Sequence, residues 1–249
     1  MLVQPLLEKL TALKLSGFRD AFKEQLENPH YAELSFEERL GLLVDVECTR
    51  REDNSLRRRI SAARFATTAV MEDLDFSQSR GLDRAFVLEL ALSEWIRRHL
   101  NVLVTGATGA GKTYLACALG HAACRQGFSV QYARTSRLLH QIMLSHADGS
   151  FPKLLRSMAR LKLLVLDDWL RDPLSMAQAR DLLEILDDRY NRSSTLLVTQ
   201  IPVENWHDRF PDPTLGDAIM DRLVHNAYRI ELKGESMRKT HSRLPSQID

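Results

Sequence analysis

The run Gly106-Ala107-Thr108-Gly109-Ala110-Gly111-Lys112-Thr113 fits the pattern G-x-x-x-x-G-K-[ST] in full. Each residue type in it has a use around a polyphosphate. The glycines let backbone N–H groups close on phosphate oxygens without a Cβ in the way. Lys112 has the reach for β- and γ-phosphates, and the Thr113 hydroxyl suits Mg²⁺. Tyr114 follows directly, so residues 106–114 form the candidate nucleotide-binding set. A glycine-rich turn can match such a pattern by chance. This one follows the apolar run Val102-Leu103-Val104 and opens a helical stretch to about Arg125. Strand, loop and helix N-terminus in that order favour phosphate capture, because the helix end adds its positive dipole.

The other half of such a site is an acid at the end of a buried strand. Asp167 stands behind Leu163-Leu164-Val165-Leu166 and is the candidate to hold Mg²⁺ together with Thr113. Asp168 follows and is placed to polarise an attacking water. Thr199 and Gln200 end a further apolar run, where a polar side chain would lie beside the γ-phosphate; Gln200 alone reads equally well as a solvent-facing strand end. Arg50, Arg51, Arg57, Arg58 and Arg59 are candidates of another kind. On one helix they could neutralise DNA phosphates without reading sequence, or form a solvated, salt-bridged face, and charge alone favours neither. The histidines show no metal-ligand spacing and read as structural.

These side chains need elements to hold them. Residues 1–70 read as a helical domain, with Leu2, Leu6, Leu7, Leu10 and Leu13 at three- and four-residue spacing. Asn28-Pro29 breaks that pattern. Ser35 and Glu38 form a capping box that opens a second helix with Leu40, Leu43 and Val44 on its apolar face. Residues 71–82 are polar and aperiodic, a linker. A helix with Phe86, Leu90 and Trp95 on one face begins the next domain, 83–249. There, strands expected at 102–104, 129–133, 163–166 and 195–199 alternate with helices, one of them capped by Ser175. That order implies an α/β fold, a parallel sheet with helices on both faces. The strand at 129–133, between the glycine-rich loop and Asp167, points to the ATPases with an extra strand between the two phosphate-site strands.

Composition sets outer limits. The chain has 249 residues, 44% hydrophobic and 27% charged, as in ordinary globular proteins. No stretch approaches the ~18 apolar residues of a membrane span, and no basic region precedes an apolar segment at the N-terminus. Three cysteines without a CxxC pair suit reduced thiols in a cytosol. The balance of 34 basic against 33 acidic residues looks unfavourable to a nucleic-acid partner. It is unevenly distributed, however. Arg50–Arg64 carries six arginines against two acids, Asp167–Arg189 seven acids against three arginines, and Arg229–Arg243 five basic residues against two acids. Any DNA contact would therefore be local.

Asp167-Asp168-Trp169, Asp187-Asp188-Arg189-Tyr190, Thr199-Gln200-Ile201-Pro202, Asn205-Trp206, Asp217-Ala218-Ile219-Met220-Asp221-Arg222-Leu223 and Gly234-Glu235-Ser236-Met237-Arg238 together resemble the IstB-like family. Leu74-Asp75-Phe76 resembles that family's junction, and the likeness covers nearly the whole chain. These are AAA+ ATPases encoded by insertion sequences, relatives of DnaC-type helicase loaders. The resemblance implies a P-loop AAA+ three-layer sandwich behind a small all-helical N-terminal domain, with ATP and Mg²⁺ as cofactors. It implies a bacterial cytoplasmic homo-oligomer in which Arg222 enters the neighbouring subunit's site as an arginine finger in trans. Arg238 would be a further phosphate contact. The implied partners are duplex DNA with little sequence specificity and a transposase, or alternatively a replicative helicase.

Two departures bear on activity. Asp168 stands where many AAA+ proteins have Glu, so its shorter side chain implies slow hydrolysis, stimulated by oligomerisation, DNA or a partner. Leu170 replaces the family's usual glycine. Other readings are a small-molecule kinase and a nucleotide-binding adaptor that scarcely hydrolyses.

Overall fold

Helix breaks and caps shape the first elements. The computed structural model describes residues 3–76 and 81–234, and the chain divides into one unit up to Arg58 and another from Arg59. In the first unit α1 (Val3–Ala12) stops where Lys14 turns to φ +58°, and α2 (Ser16–Glu27) stops at Asn28 before a 3-10 turn that starts at Pro29. One helix was expected before Asn28; the Lys14 turn makes it two. The capping box that opens α3 (Phe36–Ala63) is present, with Ser35 N–H bonded to Glu38 Oε2 at 2.8 Å and Glu38 N–H to Ser35 Oγ at 3.2 Å.

The inward face of α3 differs from the expected one. Leu43 and Glu47 are buried, whereas Leu40 and Val44 are exposed. Glu47 draws that side inward because its Oε2 accepts the N–H groups of Gly17 at 2.7 Å and Phe18 at 3.1 Å, closing the start of α2. A hydrogen bond from Arg51, joined by those two N–H groups, holds the Glu47 carboxyl below its ordinary pKa.

The second unit contains α4 (Arg84–Ala91), α5 (Glu94–Arg97), β1 (Asn101–Gly106), α6 (Lys112–Arg125), β2 (Val130–Arg134), α7 (Thr135–Ala147), α8 (Phe151–Arg160), β3 (Leu163–Asp167), α9 (Met176–Arg189), β4 (Ser194–Val198), α10 (Pro213–Val224) and β5 (Ala227–Leu232). The helix expected through Phe86 and Trp95 is divided into α4 and α5 by Ser93, at φ +63°. Among the described residues the five strands form one parallel sheet in the order β2-β3-β4-β1-β5. The strand lying between β1 and β3 is therefore β4, which comes later in the chain; β2, the intervening strand in sequence, takes the edge. α8, α10 and β5 went unrecognised in the sequence.

Leu103, Leu164, Leu166 and Leu197 face one side of the sheet and pack with residues of α7, α8, α9 and α10. α6 packs against β1 to β4. This makes a three-layer α/β sandwich, with helices on both faces of the parallel sheet. Within the second unit, residues 59–76 are bound to α6. Arg59 Nε donates to the Cys124 carbonyl at 2.8 Å, Glu72 pairs with Arg125, and the Phe65 ring occupies the space beside Gly120 that a Cβ would need. No described helix is long and apolar enough to cross a membrane.

Candidate nucleotide site

β1 delivers the glycine-rich loop to the carboxyl edge of the sheet, and α6 starts at Lys112. Gly106, Gly109 and Gly111 take φ values of +143°, +82° and +94°. Such a backbone turns N–H groups toward an anion and disfavours side chains. Gly106 is restricted a second way, since a Cβ there would overlap the Leu232 carbonyl of β5. The Lys112 ammonium, buried at the mouth of the loop, bonds to the carbonyls of Gly106 at 2.8 Å and Ala107 at 2.7 Å.

The Thr113 hydroxyl donates to Asp167 Oδ2 at 2.8 Å, joining the start of α6 to the end of β3. Two residues expected to share a metal are thus in contact across 54 positions of sequence. Their oxygen donors suit a hard cation such as Mg²⁺. The Asp167 carboxylate has further partners. The Tyr132 hydroxyl donates to Oδ2 at 2.6 Å, and the Asp168 N–H donates to Oδ1 at 2.9 Å. The Thr135 hydroxyl reaches the Asp167 carbonyl at 3.0 Å. Burial, then the hydrogen bond to Asp167, raises the Tyr132 pKa, so the phenol remains a donor. Sequence reading missed Tyr132; its only signal was alternation along a strand whose neighbour was not yet known.

Gln200 belongs to the loop. Its Oε1 accepts the Thr108 hydroxyl at 2.6 Å. Thr199 does not take the expected place beside a phosphate. It is buried, donates to the Trp169 carbonyl at 2.7 Å and accepts the Ile201 N–H at 3.0 Å, which makes it a strut between β4 and the turn after β3. In that turn Asp168 and Leu170 adopt φ +55° and +54°, the left-handed region in which glycine is easiest. This gives the Leu170 departure a physical meaning. Trp169 between them is fully buried, edge-on to Trp206. The Asp168 carboxylate stands 3.8 Å from Arg171 and lines a cavity of about 500 Å³ between α7 and the start of α9. Tyr114 is half-buried and bonded to the Val70 backbone; burial raises its pKa. It thus contacts the segment before β1, not the loop carbonyls that hold Lys112.

Arg222 lies on α10, paired with Asp187 of α9 and bonded to the Ala218 carbonyl at 2.7 Å. Its own carbonyl accepts Asn101 Nδ2 at 3.0 Å, which sets it at the amino end of β1, opposite the loop. The arginine cluster of α3 is largely engaged. Arg50 pairs with Asp20 at 2.7 Å, Arg51 with Glu47 at 2.6 Å, Arg58 Nε reaches the Asn54 carbonyl at 3.3 Å, and Arg59 is bound at Cys124. Arg57 is exposed. Arg238 lies outside the described residues.

Comparison with known proteins gives a concordant picture. The family model described as IstB-like ATP binding protein matches residues 8–245. A putative insertion sequence ATP-binding protein of Sinorhizobium fredii, y4pL, is 46% identical over 98% of this chain and 99% of its own. The putative ATP-binding protein of insertion sequence IS1162 from Pseudomonas fluorescens is 46% identical over 81% of this chain and 88% of its own. Among solved structures, DnaI superposes with a TM-score of 0.58 at 19% identity, covering 71% of this chain and 94% of that one. The DnaC helicase loader gives 0.53 at 20% identity, over 70% and 99%. At such identities these structures establish the shared fold.

Proposed function

The chain belongs to the IstB-like ATP-binding protein family, and from that premise we propose an ATPase that, with ATP and Mg²⁺, assembles on duplex DNA and assists a transposase in insertion-sequence transposition. The observation that carries the nucleotide half is the glycine loop meeting Asp167 through Thr113 at 2.8 Å. Thr113 and Asp167 are the residues that would hold Mg²⁺, and the ion would supply positive charge against the phosphates. The loop N–H groups and Lys112 bind and orient the phosphates. Gln200, tied to Thr108, orients water at the γ end, and Asp168 accepts a proton from it.

Arg222 acts on a neighbour. Asn101–Gly106 is six residues long, about 17 Å of extended chain, and separates Arg222 from its own loop. A cation so far away stabilises phosphoryl transfer only in a second subunit, so hydrolysis depends on assembly. DNA contact falls to Arg57 and Arg58 and to the outer face of α8. There Lys153, Arg156 and Arg160 are exposed at three- and four-residue spacing, with no acid in the helix and no ion-pair partner among the described residues. Such cations bind phosphodiester backbone without reading bases. Insertion-sequence relatives match most or all of the chain, whereas the likeness to the loader is one of fold, which favours a transposase over a helicase as partner.

The test is ATPase rate and particle size, with and without duplex DNA, across a salt series. Affinity for DNA should fall with a log–log slope of about −0.9 per phosphate neutralised, and Arg222→Ala should lose DNA-stimulated hydrolysis while retaining ATP binding. A flat salt response rejects the phosphate contacts, and full hydrolysis in Arg222→Ala rejects the finger.

A further inference from the structure

β2 is the edge strand beside β3, in parallel register with Tyr132 opposite Val165 and Arg134 opposite Asp167. That register carries two hydroxyls from the β2–α7 junction to one acid. Tyr132 holds the Asp167 side chain at 2.6 Å, and Thr135 holds its main-chain carbonyl at 3.0 Å. A carboxylate has about four lone-pair positions. Tyr132 and Thr113 occupy those of Oδ2, and the Asp168 N–H occupies one on Oδ1. The buried acid is thereby fixed in rotation, with its remaining acceptor capacity on a single oxygen.

We propose that Tyr132 is a positioning residue for the Mg²⁺ acid: its hydroxyl holds Asp167 in the orientation that serves the metal together with Thr113. This rests on the ATPase reading above. The alternative is that the hydroxyl merely satisfies itself on the nearest acceptor, as a buried phenol must. The two differ in what Tyr132→Phe does. Phenylalanine fills the same ring space and leaves no cavity, so the substitution removes only what the hydroxyl touches, the bond to Asp167 and the contact with Arg134. Asp167 would then keep one donor on Oδ2 and regain freedom about its terminal torsion. Nothing in this argument alters the glycine loop or Lys112, so metal-free nucleotide binding should be untouched.

The experiment titrates a fluorescent ATP analogue onto the full chain in EDTA and at stepped Mg²⁺ concentrations, for wild type and Tyr132→Phe, with a thermal melt of each. The expected result is equal affinity in EDTA, within about twofold, and a Mg²⁺ midpoint raised about tenfold in the variant, the size of one hydrogen bond to a charged acceptor. An unchanged midpoint overturns the proposal, whatever the melt shows, and leaves Tyr132 a structural residue. A lowered midpoint overturns it too, since the hydroxyl would then compete with the metal. Equal losses in EDTA and Mg²⁺ reduce the role to packing. If the wild type itself shows no response to Mg²⁺, the metal reading of Thr113 and Asp167 fails, and the role of Tyr132 with it.

Discussion

At the carboxyl end of β1, Lys112 and Asp167 are buried and Thr113 half-buried; Lys112 is bonded to loop carbonyls, and Thr113 to Asp167. At the amino end, Asn101 and Arg189 are also buried, yet their partners have another character. Asn101 accepts the Thr195 N–H at 2.9 Å and donates to the carbonyls of Arg222 and Leu223 at 3.0 and 3.2 Å. Arg189 donates to the carbonyls of Met158 at 2.6 Å, Leu161 at 3.0 Å and Ser194, and to Thr195 Oγ1 at 3.4 Å. No carboxylate among the described residues pairs with it, and burial pulls its pKa down to about 9. These groups join ends of α8, α9, α10, β1 and β4. Burial of a polar side chain therefore does not mark a site. The amino end uses polar groups to fasten elements; at the loop, the same kinds of bond are ones that phosphate and metal can take over.

The most severe way to break this comparison is Arg189→Met. It leaves the carbonyls of Met158, Leu161 and Ser194 without their donor, at an expected cost of about 3–5 kcal/mol. A typical domain has only ~5–15 kcal/mol in total. A thermal melt within two or three degrees of wild type would refute a fastening role. Lys112→Ala tests the opposite end and should leave the melt nearly unchanged. Loss of a charge-assisted phosphate contact should weaken binding of a fluorescent ATP analogue about a hundredfold. Asn101→Ala comes next, at about 2 kcal/mol of stability, with ATP-analogue affinity within twofold of wild type. A large affinity loss there would mean that the two ends are coupled.

The same contrast explains what the sequence made legible. The glycine loop is a local pattern, and Asp167 announced itself through four preceding apolar residues, so the meeting of loop and acid through Thr113 could be anticipated from local signals. The Ser35–Glu38 cap and the parallel α/β order were also local signals. Asn101 gave no signal, because its partners lie 94 to 122 positions away and belong to elements whose packing fixes them. Tyr132 was hidden for the same reason: its meaning depends on β2 taking the edge beside β3. Strand alternation likewise does not reveal that the Thr199 hydroxyl is taken up by the Trp169 carbonyl in the turn after β3, 30 positions earlier. Leu40 and Val44 misled because a cap from Glu47 to α2, not apolarity alone, orients α3.

The smallest expected effect bears on backbone strain, which both ends carry: His99 and Asn191 beside the amino-end fasteners are left-handed as well, at φ +57° and +54°. Asp168 and Leu170, close after Asp167, hold left-handed backbone, and Leu170 is buried where glycine would be easier. Asp168→Gly removes a Cβ from φ +55°, worth about 1 kcal/mol, and gives part of it back through the greater freedom of glycine in the unfolded chain. The lost Arg171 contact, 3.8 Å and partly exposed, contributes little. The net expectation is a gain of about 0.5 kcal/mol, one or two degrees in the melt of a unit this size. Hydrolysis should fall about a hundredfold if Asp168 accepts the proton from water. A rise in stability with a loss of turnover would place strain and chemistry on one residue. A drop in stability would mean that the turn gains more from Asp168 than left-handed geometry costs, and the loop end would then be as firmly fastened as the end that holds Arg189.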